Sequence, residues 1–341
     1  MAADVFDVVP AAQREAAERA VRETFPEAEA TALTVLHGGL SGQLVLKLEL
    51  AERAYVLRVS VAPWAAQQAR GHFAAMQIAA GLGIAPAVLY ADEPSGICIT
   101  DFIAGQPIGP ALRQPEQQAQ LAAMLRRLHS GPAFPTEADT FAYLHSLRAQ
   151  LGALGITPPG WVEGFLDQFA AVEAALRPHL VSAPSHNDVN PNNMLFDGTR
   201  LWLIDWEVAA MNEPMLDISN LLYWFGWPPE QEAAFLRAYL GTEPDARQRA
   251  KLTLMRQTTR CFYTLMFLLL AAQFSQGKLP EALEREQLPD VREVIHGLGA
   301  GTLQLDRPQA MQTLSLATAK AALAEQEQPA FIEALALLRA T

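Results

Sequence analysis

The stretch His186-Asn187-Asp188-Val189-Asn190-Pro191-Asn192-Asn193 is followed closely by Leu203-Ile204-Asp205-Trp206-Glu207, and all six asparagines of the chain fall between positions 187 and 220. Oxygen-bearing side chains so concentrated match the needs of phosphoryl transfer from a nucleotide. That chemistry requires a carboxylate to orient an acceptor hydroxyl and take its proton, and oxygen ligands to hold magnesium against the phosphates. Asp188 meets the first need, and Asn193 with Asp205 the second. The order H-x-D-x-x-x-x-N, headed here by His186, then a strand hairpin delivering a second Asp, is a catalytic-loop spacing. Each residue alone reads equally as a turn carboxylate or an Asn tolerated in a left-handed turn. The whole set, interleaved with strand-like runs at 194–196 and 201–204 around the turn Asp197-Gly198, argues for function.

The flanking sequence must hold that loop in place. Residues 10–24 read as an alanine-rich helix that stops near Pro26. Leu44, Leu46, Leu48 and Leu50 alternate with Val45, Lys47 and Glu49, the period of a strand with one apolar face. Residues 54–60 repeat the alternation after a turn at Glu52 and Arg53, so the two runs pair as a hairpin. Residues 64–82 predict a helix closing near Gly83 and Pro86, and 87–91 and 96–102 predict two short strands. Gly105, Pro107 and Pro110 form a hinge, beyond which 116–130, 138–153, 160–178 and most of 230–341 are helical. This order is α+β, and the hinge divides the chain into 1–103 and 104–341.

Composition narrows the function classes. A chain of 341 residues, 50% apolar and 18% charged, builds globular units with real cores. A formal net charge of -12 opposes nucleic-acid and anionic-membrane partners, which bind basic surface. Cys98 and Cys261 sit in apolar runs, which argues against disulfides or zinc and suits a reducing, cytoplasmic setting. Asp4 and Asp7 occupy the place where a signal peptide carries basic residues. The uncharged run 261–274 is shorter than the roughly 20 residues needed to span a bilayer, so a buried helix is expected.

The chain resembles, nearly end to end, the aminoglycoside-phosphotransferase and choline/ethanolamine-kinase superfamily, with the choline-kinase branch the nearer. The features that carry this are Asn187 after His186, Asp205-Trp206-Glu207 in place of Asp-Phe-Gly, and the downstream Met211-Asn212-Glu213-Pro214-Met215-Leu216-Asp217. The resemblance implies a protein-kinase-like fold with a small sheet-rich N-terminal lobe and a larger helical C-terminal lobe. It implies ATP and Mg2+ as cofactors and the hydroxyl of a small molecule as acceptor; a homodimer is compatible with it. Asp217 inherits a buttressing role, its alternative being an N-cap for 218–225. Gly38, Gly39, Ser41 and Gly42 would lie over the phosphates, the alternative being a plain hairpin loop. Arg58 stands where kinases carry a phosphate-contacting Lys, with Lys47 as its rival. Thr100, Asp101, Phe102 and Ile103 would form the hinge that binds adenine through backbone groups. A helix Glu should pair with Arg58, but His72 holds its place and 61–90 contains no acid.

On the acceptor side, Tyr223, Trp224, Trp227 and Tyr263, with Phe262 and Phe267 near, could surround a quaternary ammonium, or could simply be core. Glu207 is the best acid for a substrate amine, a structural salt bridge being the alternative. Within the superfamily the alternatives are an antibiotic-modifying phosphotransferase or a thiamine-type kinase. Outside it stands a nucleotide-binding regulator that no longer transfers phosphate.

Overall fold

The computed structural model describes residues 5–28, 30–36, 43–51, 53–61, 71–281 and 283–340. They form two compact units: Met1–Glu137 with Ala183–Asp188 and Asn192–Met211, and Ala138–Ser182 with Val189–Pro191 and Asn212–Thr341.

The first unit opens with α1 (Ala11–Thr24), followed by β1 (Ala30–Val35), β2 (Gln43–Leu50), β3 (Arg53–Ser60), α2 (His72–Gly81), β4 (Val88–Asp92) and β5 (Ile97–Asp101). The five strands make one sheet in the order β1-β2-β3-β5-β4, every adjacent pair antiparallel. The leucine alternation fixes its register: Leu46 pairs with Leu57 and Leu48 with Tyr55. Leu46, Leu48, Leu57, Ile97 and Ile99 are fully buried, in one core with Ala17, Ala20 and Val21 of α1. A slip of one residue would turn that face outward, so burial pins Val45, Lys47, Val56 and Arg58 to the other face. The described part of the helix expected over 64–82 is α2; positions 62–70 lie outside the described residues.

The same unit contains β6 (Gln106–Pro107), α3 (Pro115–His129), β7 (Ala183–Ser185), β8 (Met194–Phe196), β9 (Leu201–Leu203) and β10 (Ala210–Asn212). β8 and β9 form the hairpin expected around Asp197-Gly198, and β6 adds to β8, while β7 pairs with β10. Gly105 is required where the chain after β5 meets this sheet, since a Cβ there would stand 2.7 Å from Leu195 Cβ. The hairpin turn is closed by Asp197, whose carboxylate accepts from the amides of Thr199 and Arg200 at 2.9 Å each and from the Trp202 indole at 2.7 Å. Burial opposes ionisation of that carboxyl, but these donors outweigh it and hold it well below the usual range. α3 packs on β7 and β9.

The second unit is helical: α4 (Thr140–Ala153), α5 (Gly160–Leu176), α6 (Pro214–Phe225), α7 (Pro229–Leu240), α8 (Ala246–Phe274), α9 (Val291–Gly299), α10 (Pro308–Gln326) and α11 (Pro329–Arg339). α8, started by an Asp245–Gln248 capping box, is its axis and packs on α4, α5, α6, α10 and α11. The uncharged run 261–274 is the C-terminal half of α8 and lines this interior, with Cys261, Phe267, Leu268 and Ala271 almost inaccessible. No helix among the described residues is long and apolar enough to cross a membrane. One local expectation changes: α6 is capped by Glu213, which accepts from the Met215 amide at 3.1 Å, with Pro214 as its first residue. Asp217 therefore lies one turn inside the helix and is not its N-cap. The signal was the Glu-Pro pair itself, because Pro is favoured where a helix begins.

Candidate active site

β7 delivers the chain to His186, which is completely buried. Its Nε2 donates to the Ile204 carbonyl at 3.0 Å, which leaves Nδ1 to accept from the Asp188 amide at 3.3 Å. Only the neutral Nε2–H tautomer satisfies both contacts. The ring packs edge-on against Trp206 at 4.7 Å, and the Trp206 indole donates to the Leu203 carbonyl at 3.1 Å. His186 is thus a strut between two segments, fixing Asp188 on one side and the approach to Asp205 on the other.

Asn193 ends a single 3₁₀ turn, Pro191–Asn193, and is 6% exposed. Its Nδ2 donates to Asp188 Oδ2 at 2.7 Å and to the Asp188 carbonyl at 3.0 Å. With the amide nitrogen spent on Asp188, its oxygen is the atom left for a cation. The Asn193 carbonyl accepts from the Ile204 amide at 2.9 Å, which sets Asp205 beside it. Asp205 itself is held at φ 66 and Asn187 likewise at φ 66, a left-handed conformation uncommon outside glycine. Asn187 matters beyond its place in the motif, because its Nδ2 donates to the Val208 carbonyl at 2.8 Å and ties the Asp188 loop to the segment after Asp205. Its αL-tolerant residue type was the only advance signal of this.

Arg58 reaches the same cluster from β3: Nη1 lies 3.2 Å from Asp205 Oδ1 and 3.9 Å from Glu207 Oε1. Lys47, on the same sheet face, is engaged elsewhere, with Glu49 Oε1 at 2.5 Å and the Phe102 ring 5.3 Å below its ammonium. Cys98 pairs with Arg58 across β5, and burial pushes its thiol up to about 12 despite the guanidinium. The candidate adenine segment runs out of the end of β5: Thr100 is buried, Asp101 N donates to the Ala87 carbonyl at 3.0 Å, Phe102 N donates to the Ala54 carbonyl at 3.4 Å, and Ile103 O accepts from Gly105 N at 2.8 Å. His72 is 5% exposed at the start of α2, its ring 4.2 Å from that of Phe73. Gly38, Gly39, Ser41 and Gly42 lie outside the described residues. Among the described residues no three His, Cys, Asp or Glu side chains are grouped to hold a metal. Asn193 and Asp205 are nevertheless an all-oxygen pair, the small protein share that suits magnesium, which keeps waters and phosphates as its other ligands.

The remaining predicted residues belong to the second unit. Asp217 is fully buried, and burial together with the Asp217 and Glu213 carboxylates pushes the Tyr239 hydroxyl upward. Glu213 is anchored by Lys251 at 2.6 Å and by the Val181 amide at 2.8 Å. Tyr223, Trp224 and Tyr263 do come together: the two tyrosines stack at 4.5 Å, and the Trp224 indole donates to Tyr263 Oη at 2.6 Å. The Tyr223 hydroxyl bonds Thr318 Oγ1 at 2.7 Å. Trp227 goes elsewhere, against Phe225 at 5.4 Å and Phe235 at 5.2 Å. A pocket beside Tyr223 holds charged groups already paired, Arg256 with Glu232 at 2.6 Å and Arg260 with Glu325.

A five-stranded antiparallel sheet carrying an arginine, set against a histidine-led loop and a hairpin that brings up two further carboxylates, defines a kinase-like fold with the makings of a phosphotransferase site. The model of the phosphotransferase enzyme family matches residues 32–252, and the chain belongs to that family. Protein LicA of Haemophilus influenzae is 27% identical over 194 residues, covering 54% of this chain and 56% of that protein. The chain thus spans little more than half the length of the curated relatives it matches. Among solved structures, a choline/ethanolamine kinase family protein from Mesorhizobium loti superposes with a TM-score of 0.71 at 24% identity, covering 97% of this chain and 100% of that one. A structure of LicA in complex with AMP gives a TM-score of 0.61 at 18% identity, covering 77% of this chain and 92% of that one.

Proposed function

We propose that this chain is an ATP- and magnesium-dependent kinase that moves the γ-phosphate to the hydroxyl of a small amino alcohol, of choline or ethanolamine type. The observation that carries the reading is the Asn193 bridge, whose Nδ2 holds Asp188 Oδ2 at 2.7 Å while its carbonyl holds the Ile204 amide at 2.9 Å. One residue, through its side chain on one side and its main-chain carbonyl on the other, thereby ties the candidate base to the segment that carries the candidate metal ligand.

In this reading Asp188 orients the acceptor hydroxyl and takes its proton as that oxygen bonds to the γ-phosphorus and the bond to the bridging oxygen breaks, ADP leaving. A positioned base of this kind contributes roughly 10²–10⁴ in rate. Asn193 Oδ1 and Asp205 would hold magnesium, which when bound offsets phosphate charge and shields the approach of the nucleophile. Arg58 grips the nucleotide phosphates from the sheet, and the hinge at 100–103 takes the adenine through backbone groups. Tyr223, Trp224 and Tyr263 are assigned to the acceptor's cationic body by residue type, and Asp217 by charge, whereas Trp227 packs on Phe225 and Phe235. Support for the acceptor class comes from the choline/ethanolamine kinase neighbour, and for an adenine nucleotide from the LicA–AMP neighbour. An ATP-consuming enzyme with two free, buried cysteines suits the cytoplasm.

The test is acceptor-dependent ADP release by the purified chain with ATP and magnesium, across choline, ethanolamine, other amino alcohols, thiamine and aminoglycosides. Release with an amino alcohol supports the proposal. Release only with an aminoglycoside moves the chain to the antibiotic-modifying branch. MgATP binding without turnover on any acceptor makes it a regulator and ends the enzymatic reading.

A further inference from the structure

The sequence has no acid between positions 61 and 90, so a carboxylate to aim Arg58 cannot come from the helix that follows β3. The Arg58 side chain is 14% exposed, and a guanidinium so far removed from water needs an ionised partner. Two are at hand on one short segment: Asp205 Oδ1 at 3.2 Å and Glu207 Oε1 at 3.9 Å, both measured to the same Nη1. The backbone explains why two acids so close in sequence reach one cation. Asp205 is left-handed, and the intervening Trp206 is turned inward, 2% exposed and anchored to the Leu203 carbonyl.

The two acids are not equivalent. Asp205 is also the candidate metal ligand, so its charge is committed elsewhere once nucleotide and cation are bound. Glu207 carries no metal assignment, and its side chain, 26% exposed, is as sheltered as that of Asp205 at 28%. We propose that Glu207 is a positioning residue that keeps Arg58 aimed at the nucleotide phosphates when Asp205 turns to the metal, replacing the helix carboxylate that this chain lacks. The inference rests on the reading of Arg58 as a phosphate ligand and deepens it. It also moves Glu207 from the acceptor side to the nucleotide side.

The experiment measures MgATP affinity by calorimetry, and acceptor KM by ADP release, on the full chain. Glu207→Gln, isosteric and uncharged, weakens MgATP binding about tenfold, equivalent to about 1.4 kcal/mol, and leaves acceptor KM unchanged. Glu207→Asp, which keeps the charge, recovers most of that loss. In an Arg58→Ala background, Glu207→Gln adds nothing further, as expected of a residue acting through Arg58. Three results overturn the inference: unchanged MgATP affinity with a raised acceptor KM, losses that simply add in the double variant, or no recovery with Asp. Should Glu207→Gln fail to fold, Glu207→Ala takes its place with the same expectations for MgATP affinity and acceptor KM. A wild-type chain that binds no MgATP at all would overturn the reading of the site itself.

Discussion

The polar loop from His186 to Glu207 and the aromatic cluster on α6 and α8 are both built from sheltered side chains, yet they spend their hydrogen bonds differently. In the loop, donors converge on carboxylates and a main-chain carbonyl: Asn193 on Asp188, Arg58 on Asp205, His186 on the Ile204 carbonyl. In the cluster they join uncharged side chains to one another, Trp224 to Tyr263 and Tyr223 to Thr318, among rings packed with Val294, Leu314 and Ala317. A region arranged around carboxylates is prepared for a hydroxyl donor or a cation. A region whose rings satisfy one another serves stability first, and offers a ligand only the faces that remain.

Substitutions can break that contrast. The largest effect is expected at Asp188: Asp188→Asn lowers kcat by roughly 10²–10⁴ while MgATP affinity, read by calorimetry, stays at the wild-type level. Next comes Asp205→Ala, which removes the magnesium-dependent part of ATP affinity, a loss of more than about tenfold, or 1.4 kcal/mol, visible as equal binding with and without the metal. His186→Ala leaves the half-buried Ile204 carbonyl without its His186 donor, so chemical denaturation should show a loss of about 1 kcal/mol or more together with reduced kcat. Tyr223→Phe sharpens the comparison, since loss of the Thr318 bond costs about 1 kcal/mol of stability, with kcat/KM unchanged if the hydroxyl serves only the core. The smallest effect belongs to Asp197. Its folded-state carboxyl titrates below the unfolded value of about 3.9, so its contribution is present above that pH and is lost as pH falls through the folded value. Asp197→Asn should therefore be less stable at neutral pH and lose less on acidification to pH 3, by thermal melts.

What the sequence disclosed follows the same division. The alternation Leu44 to Leu50 dictates a strand and its buried face, and the spacing of His186, Asp188 and Asn193 places three polar groups on one tight loop, because both signals are local. Arg58's partners were not legible: they lie 147 positions away for Asp205, and no periodicity reports such a pairing. Trp227 was grouped with Tyr223 and Trp224 on proximity in sequence, but Gly226 adopts φ 53 and ends α6, so Trp227 leaves the helix and joins Phe235. The aromatic run could not announce its acceptor, since a ring buried for packing and a ring exposed to an ammonium group look alike in the chain.

The most direct test follows the phosphate itself. ³¹P NMR of the wild-type chain with MgATP and choline or ethanolamine should show a phosphomonoester resonance growing in step with ADP. Conversion of ATP to ADP and inorganic phosphate alone, with no ester formed on any hydroxyl acceptor, would contradict the account.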